Sequence, residues 1–366
     1  MKEGWEYKKL GEVAEVIHGK NQKDVLSEEG QYPIYGSGGN IMGYANDYLC
    51  EAGTTILGRK GSINNPQFIE ERFWNVDTAF GISAKEGYDS KFVYYFITSI
   101  NWLEKNTGTT LPSLTQQVVK SVELPVPPLS DQQSIVDYLD SAFAKIDAMK
   151  ANAEKALGEA KALFQASLKE MLEPKDGWEE KYLKEIAEYS IGLTYKPTDV
   201  CDDGTIVLRS SNIQEGKLDL NDIVRVNTSI KEKLYVQCGD ILMCSRNGSA
   251  RLVGKVCIIP ELKERMTYGT FMMVIRSAYN PLLYHYFDTD LFRRQIKHGE
   301  ANMINQITRY MLDEVKLNLP PIKEQQSIVA TLDSLKSKVD RLQENYNKIS
   351  QECDALKQTI LRQVFE

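Results

Sequence analysis

The sequence predicts an α+β protein assembled twice over: two globular units of mixed α/β character, joined by two long antiparallel coiled-coil helices in a pseudo-twofold internal repeat. Three observations carry that prediction. The segment LPVPPLSDQQSIVDYLDS at Leu124 returns as LNLPPIKEQQSIVATLDS at Leu317, an offset of 193. The opening GWEYKKLGEVAEV at Gly4 returns as GWEEKYLKEIAEY at Gly177, an offset of 173. Each exit segment runs on into apolar positions at alternating steps of four and three, the pattern of a coiled-coil seam. Repeats of this length organise a chain before any local feature does. They divide it into a first globular unit (1–128), a first helix (129–173), a second globular unit (174–321) and a second helix (322–366). The unequal offsets place the extra length, about 20 residues, inside the second globular unit, so the two middles have diverged while their ends have not.

In the first unit, YPIYGSGGNIMGYAND sets the glycine cluster Gly36, Gly38 and Gly39 between short apolar runs, and TTILGRKGSINNP reads as a strand followed by a polar loop. Loops on a rigid scaffold that carry Arg, Lys, Asn and Ser have the donors and acceptors needed to meet nucleic-acid backbone and base edges; a plain solvated loop has the same composition. By residue type and loop position the candidates here are Lys20, Asn21, Lys23, Ser37, Asn40, Arg59, Lys60, Ser62 and Asn64.

The first helix begins after Pro127-Pro128, where the extended backbone that proline imposes gives way to Ser130 and Asp131. Its seam reads Ile135, Leu139, Ala142, Ile146, Met149, Ala153, Ala156, Ala160 and Leu163, with Phe143, Leu157, Phe164, Leu168 and Leu172 widening the stripe beside it. Gln132 and Gln133, like Gln325 and Gln326 in the second copy, are placed either to bridge the joint between domain and helix or to face water.

The second unit offers the analogous GDILMCSRNGSARLVGKVCII, again strand, polar loop, strand. Its candidates are Lys196, Arg209, Ser211, Asn212, Arg246, Asn247, Ser249, Arg251, Asn302, Asn305 and Arg309. Nine arginines lie between 174 and 321. Arginine suits bidentate contact with guanine or phosphate, so the asymmetry hints at unlike ligand contacts in the two units.

The second helix follows Pro320-Pro321 and runs Ile328, Leu332, Leu335, Val339, Leu342, Tyr346, Ile349, Cys353, Leu356, Ile360. A lone helix of about 42 residues is ~63 Å long and would expose its apolar stripe to water. Pairing of Ile135, Leu139, Ile146, Met149, Ala153 and Ala156 with Ile328, Leu332, Val339, Leu342, Tyr346 and Ile349 covers it, small residues on one side meeting larger ones on the other. The wide stripe on the first helix also suggests partner subunits joining in a bundle.

Composition narrows the function. With 366 residues, 42% hydrophobic and 26% charged, the chain has room for two soluble domains. Its N-terminus, MKEGWEYKK, lacks the apolar core of a secretion signal and no run reaches membrane-span length, so a cytoplasmic location is expected. The six cysteines, Cys50, Cys201, Cys238, Cys244, Cys257 and Cys353, form no CxxC pair, and the three histidines are scattered. Neither a metal site nor a disulfide framework is expected. The net charge of −7 weighs against a nucleic-acid partner only if charge is spread evenly.

Catalytic patterns are set aside one by one. Asn65-Pro66-Gln67-Phe68 approximates an amino-methyltransferase motif but lacks its second proline and a preceding glycine-rich cofactor loop. Asp240, Glu261 and Lys263 mimic nuclease spacing, yet PELKER reads as a turn or short surface helix. The GSGG at 36–39 lacks the following Lys-Ser or Lys-Thr of a phosphate loop. His18, His285 and His298 sit in no triad-like context. A non-enzymatic chain is expected.

The order of globular unit, PPLxxQQxIVxxLD helix, globular unit and PPIxEQQxIVxxLD helix resembles the DNA-specificity subunit of type I restriction-modification systems across the whole chain. The carrying residues are Pro127-Pro128-Leu129 through Gln132-Gln133-Ser134-Ile135 and Pro320-Pro321-Ile322 through Gln325-Gln326-Ser327-Ile328, with the GWE openings. Asp131 stands where the second copy has Glu324, a conservative change. The resemblance implies that each globular unit reads one half of an asymmetric, bipartite site in double-stranded DNA. It implies that the helices act as ruler and dock for two methyltransferase subunits, which bind S-adenosylmethionine and flip out the target adenine, with an ATP-dependent motor-nuclease subunit completing the complex. The chain itself would carry no cofactor. Two rivals are a coiled-coil adaptor that binds proteins without DNA specificity and a self-contained nuclease or methyltransferase.

Overall fold

The computed structural model describes residues 4–296 and 306–366. The chain divides into two compact units, Met1–Glu154 with Asn345–Glu366, and Lys155–Glu344. Each globular region thus takes part of both long helices with it, a grouping that cuts across the four consecutive segments expected from sequence.

The first unit opens with β1 (Glu6–Lys9), the single-turn α1 (Leu10–Val13) and β2 (Ala14–His18). The hairpin β3 (Tyr32–Tyr35) and β4 (Ile41–Ala45) follows, then β5 (Thr54–Gly58), β6 (Gln67–Ile69), β7 (Trp74–Asn75) and β8 (Ala79–Ala84). Helices α2 (Ser90–Ser99) and α3 (Gln116–Ser121), strand β9 (Glu123–Val126) and the long α4 (Leu129–Met171) complete the run. One antiparallel sheet has the order β2-β8-β5-β6, and a second the order β4-β3-β7 with β3 and β7 parallel. Strand β5 is an uninterrupted TTILG because it lies inside its sheet and is buried along its whole length. The Asp89 carboxylate accepts from the Phe92 amide and so starts α2, which lays Phe92, Val93 and Phe96 on a core shared with Phe80 and Trp102.

The second unit repeats the plan. It runs β10 (Glu179–Tyr182), α5 (Leu183–Ile186), β11 (Glu188–Ile191), β12 (Val200–Cys201), β13 (Thr205–Leu208), β14 (Ile213–Gln214), β15 (Lys217–Leu218) and β16 (Arg225–Val226). Then come β17 (Ile241–Cys244), β18 (Val256–Ile258), β19 (Met266–Tyr268), β20 (Met272–Arg276), α6 (Asn280–Tyr286), α7 (Asp290–Ile296), α8 (Arg309–Asp313), β21 (Lys316–Leu319) and α9 (Ile322–Phe365). The order β11-β20-β17-β18 matches β2-β8-β5-β6, and the parallel pair β13 and β19 matches β3 and β7. The β14–β15 hairpin has no counterpart in the first unit and holds part of the extra length.

The repeated sequence ends are structural partners. Strand β1 pairs with β9 (Glu6 with Val126), and β10 with β21 (Glu179 with Leu319), so the GWE opening of each half is sewn to the strand that leads into its helix. The first glutamine of each QQ pair locks the proline joint. Gln132 donates to the Pro127 carbonyl at 2.9 Å and accepts from the Asp89 amide at 2.9 Å, and Gln325 donates to the Pro320 carbonyl at 2.7 Å. Both are buried, whereas Gln133 and Gln326 are exposed.

Within each unit the long helices run antiparallel. In the first, Lys357 meets Asp147 at 2.6 Å, Lys150 meets Asp354 at 3.2 Å, and the Cys353 thiol donates to the Ile146 carbonyl at 3.8 Å, beside buried Val136, Leu139, Leu361 and Phe365. In the second, Lys161 donates to Gln343 at 2.6 Å, and Phe164 and Leu168 share a core with Ile328, Leu332 and Val339.

The expected seam needs correction at five of its alternate positions. Met149 and Leu163 are 59% and 61% exposed, Ala156 is exposed, and Leu342 and Leu356 are 36% and 47% exposed. Of the positions one residue further on, Leu157 and Phe164 are buried, and Phe143, Lys150, Gln343 and Lys357 are half-buried. Leu139, Ile146, Ile328, Leu332 and Val339 are buried as expected, while Ile135, Ala153, Tyr346 and Ile349 are half-buried. Steps of four-three and three-four share alternate positions, and the larger side chain of most adjacent pairs on the first helix takes the inner place: Phe143 over Ala142, Leu157 over Ala156, Phe164 over Leu163.

Among the described residues no helix is long and apolar enough to cross a membrane, and no group of three or more His, Cys, Asp or Glu is placed to hold a metal ion.

Candidate nucleic-acid interface

In each unit one edge of the main sheet gathers the polar loops. In the first, β2 and β5 end where β8 begins, since His18 faces Phe80 and Gly58 faces Ala79 across the sheet. The parallel contact of β3 with β7 brings Tyr35 to Asn75 at the same edge, and the Lys20 amide donates to the Asn75 carbonyl. Loops 19–23, 36–40 and 59–64 therefore converge there. The approach of the last two is close: a Cβ on Gly58 would fall 2.0 Å from the Ser62 carbonyl oxygen and 3.1 Å from that of Ser37. Glycine is required at that position for steric reasons.

This edge brings together Lys20, Ser37, Asn40, Arg59, Lys60 and Ser62. Lys20, Asn40, Lys60 and Ser62 are exposed, and Arg59 turns back to donate to the Asp77 carbonyl at 3.1 Å. Lys23 is exposed on the same loop as Lys20. Two candidates are committed to the fold: Asn21 accepts from the Lys23 amide within its own turn, and Asn64 accepts from the Trp102 amide at 2.7 Å, holding the segment that carries a fully buried indole.

In the second unit the corresponding edge opens into a groove of about 1260 Å³, walled by Thr194, Tyr195, Arg209, Ser210, Ser211, Asp222, Arg246, Asn247 and Phe271. Arg209 is held by Asp222 at 2.8 Å, with its Nε buried and unpartnered among the described residues. Asn247 donates to the Ser210 hydroxyl and accepts from the Ser249 amide, so these three fix one another. The Arg246 guanidinium stacks over the Phe271 ring at 5.4 Å, and no carboxylate among the described residues pairs with it.

Several expected contacts lie elsewhere. Asn212 is fully buried; it accepts from the Arg209 amide and donates to the carbonyls of Asp219 and Asp222, so it builds the loop instead of facing a ligand. Arg251 borders a separate cavity of about 210 Å³ with Lys255, Arg293 and Lys336, where burial pushes the Lys255 pKa down. Arg309, at the start of α8, lies over the Tyr189 ring at 5.6 Å, and Lys196 is exposed beside Pro197 of the groove wall. Asn302 and Asn305 lie outside the described residues. Sequence reasoning missed Thr194, Tyr195, Asp222 and Phe271, none of which sits in an Arg- or Asn-rich loop; only the sheet topology brings them to the groove.

The family model described as the type I restriction modification DNA specificity domain matches this chain twice, over residues 2–157 and 175–351. The type I restriction enzyme MjaVIII specificity subunit of Methanocaldococcus jannaschii is 22% identical, covering 98% of this chain and 91% of its own. The EcoBI specificity subunit of Escherichia coli is 23% identical, covering 85% and 72%. Among solved structures, one described as the structural basis of complex assembly and conformational transition of the type I R-M system shares the fold with a TM-score of 0.75 at 18% identity, covering 99% of this chain and 97% of the other. The HsdS subunit of Thermoanaerobacter tengcongensis aligns with a TM-score of 0.52 at 19% identity over 100% and 97%.

Proposed function

Because the chain belongs to the type I restriction modification DNA specificity family, the non-catalytic component that supplies such systems with their DNA address, we propose that each of its two units reads one half of an asymmetric, bipartite site in double-stranded DNA. One observation supports this most: the same sheet edge recurs in both units, with the same strand order and a different set of polar and cationic side chains. Equal scaffolds with unlike loops suit unlike half-sequences. Lys20, Lys23, Asn40, Lys60 and Ser62 in the first unit, and Lys196, Arg209, Ser211, Arg246, Asn247 and Ser249 in the second, are the residues we assign to that contact. Long cations there position on phosphate as well as on bases.

The helices, in this reading, set the gap between half-sites and dock two methyltransferase subunits. Apolar side chains left outside the helix pairing support a docking role: Tyr138, Met149 and Leu163 on α4 are each more than half exposed. S-adenosylmethionine is then bound by the methyltransferases, an ATP-dependent motor-nuclease joins them for cleavage, and the chain works in the cytoplasm. Exchanging residues 177–320 for the matching domain of a relative tests the proposal. One half of the recognised sequence should change and the other should stay; a change in both halves, or in neither, contradicts it.

A further inference from the structure

The two edges share a distinctive set of backbone hydrogen bonds. In the first unit the amides of Arg59 and Lys60 both donate to the Thr78 carbonyl, and the Leu114 amide donates to the Arg59 carbonyl. In the second the amides of Ser245 and Arg246 both donate to the Phe271 carbonyl, and the Ile307 amide donates to the Ser245 carbonyl. Lys60 forms an isolated antiparallel bridge with Ser113, and Arg246 forms one with Gln306. Thr115 and Thr308 then cap α3 and α8 in the same way. Lys60 and Arg246 are therefore the same position in two copies, a register that the offsets of 173 and 193 do not give.

Both copies carry a cation there, and the two cations differ in what they can recognise. Most arginines around the second unit's sheets are engaged: Arg209 with Asp222, Arg225 with Glu264 through two nitrogens, Arg265 with Glu232, Arg276 with Asp240. Arg246 instead lies over the Phe271 ring and lines the groove, with no carboxylate pairing its N–H donors among the described residues. A guanidinium placed there can match the O6 and N7 acceptors of guanine in the major groove. The Lys60 ammonium is a point charge without that geometric selectivity.

Resting on the DNA-specificity reading above, we propose that Arg246 is a specificity-determining residue of the second unit and reads a guanine in its half-site, and that Lys60 occupies the equivalent place in the first unit without imposing a guanine. The test is selection from a randomised duplex library by the assembled complex of this chain with its methyltransferase partner, comparing the unaltered chain with Arg246→Lys, Arg246→Ala and Lys60→Arg. The unaltered complex should select a guanine in the half-site that residues 177–320 control. Arg246→Lys keeps the charge and should lose the preference at that one base pair by on the order of 10-fold, with the remaining positions and the other half-site intact. Arg246→Ala should lose the same preference and some affinity. Lys60→Arg should alter selection in the first half-site alone.

Guanine selection that persists in both Arg246 variants overturns the assignment, as does an equal loss over all sequences, the mark of a phosphate contact. Intact selection at the first half-site shows that the variant chain is folded and assembled. A complex that selects no sequence with the unaltered chain contradicts the DNA-specificity reading itself, an outcome distinct from failure of Arg246.

Discussion

Asp147 and Lys357, 210 residues apart, meet at 2.6 Å across the paired helices of the first unit. Their carboxylate and ammonium are partly exposed, and such a pair stabilises by about 1 kcal/mol at most. Its importance lies in direction: with Lys150 to Asp354 it fixes the helices as antiparallel, while Val136, Leu139, Ile146, Leu361 and Phe365 supply the buried apolar surface.

If the helices set the gap between half-sites, removing or adding whole heptads between Ala151 and Ala162, with the matching change in α9, should respectively shorten or lengthen that gap and leave both half-sequences unchanged. Methylation mapping of the altered chain reads this directly. Altered half-sequences at an unchanged gap would contradict the role assigned to the helices.

The joints predict a contrast within each QQ pair. Gln325→Ala removes the donor to the buried Pro320 carbonyl, and Gln132→Ala removes two hydrogen bonds; each should cost about 1–3 kcal/mol in urea unfolding. Gln133→Ala and Gln326→Ala, at exposed positions, should fall within about 0.5 kcal/mol of the unaltered protein.

Asn212 and Arg246 should separate stability from specificity. Asn212→Ala strands the Arg209 amide and the carbonyls of Asp219 and Asp222, and should lower stability by about 2 kcal/mol or more. Arg246→Lys, at an exposed site, should leave the unfolding midpoint nearly unchanged.

These contrasts mark how far the sequence could be read. The repeat, the two helices, their start after Pro127-Pro128 and Pro320-Pro321, and the mixed globular units were legible because repetition and heptad spacing are properties of order along the chain. The seam was half legible: alternate positions belong to both possible step patterns, and three-dimensional packing, not spacing, places Phe143 and Leu157 inside and Met149 outside. The site was least legible, because Asn64 and Asn212 have the composition of contact residues but serve their own loops, and because Tyr195 and Phe271 reach the groove only through the strand order.

His285 predicts an acid-sensitive second unit. It is 2% exposed, and burial holds its pKa below the usual histidine value despite the Asp333 carboxylate 2.8 Å away; Asp288 and Lys336 are its other charged neighbours. The unfolded chain therefore binds a proton near pH ~6.5 that the folded unit resists. Stability is full above that pH and falls as pH drops toward the folded value, by at most about 1.4 kcal/mol per pH unit. Thermal midpoints between pH 7.5 and 5.5 should fall more for the unaltered chain than for His285→Gln; equal slopes would remove His285 as the cause.

On this proposal one chain carries two unlike readers. Mapping methylated adenines in DNA from cells that express it with its methyltransferase partner tests this most directly. Methylation is expected at a single class of site, two different short sequences separated by a constant number of unspecified base pairs. A contiguous or palindromic site, or methylation that does not depend on this chain, would contradict it.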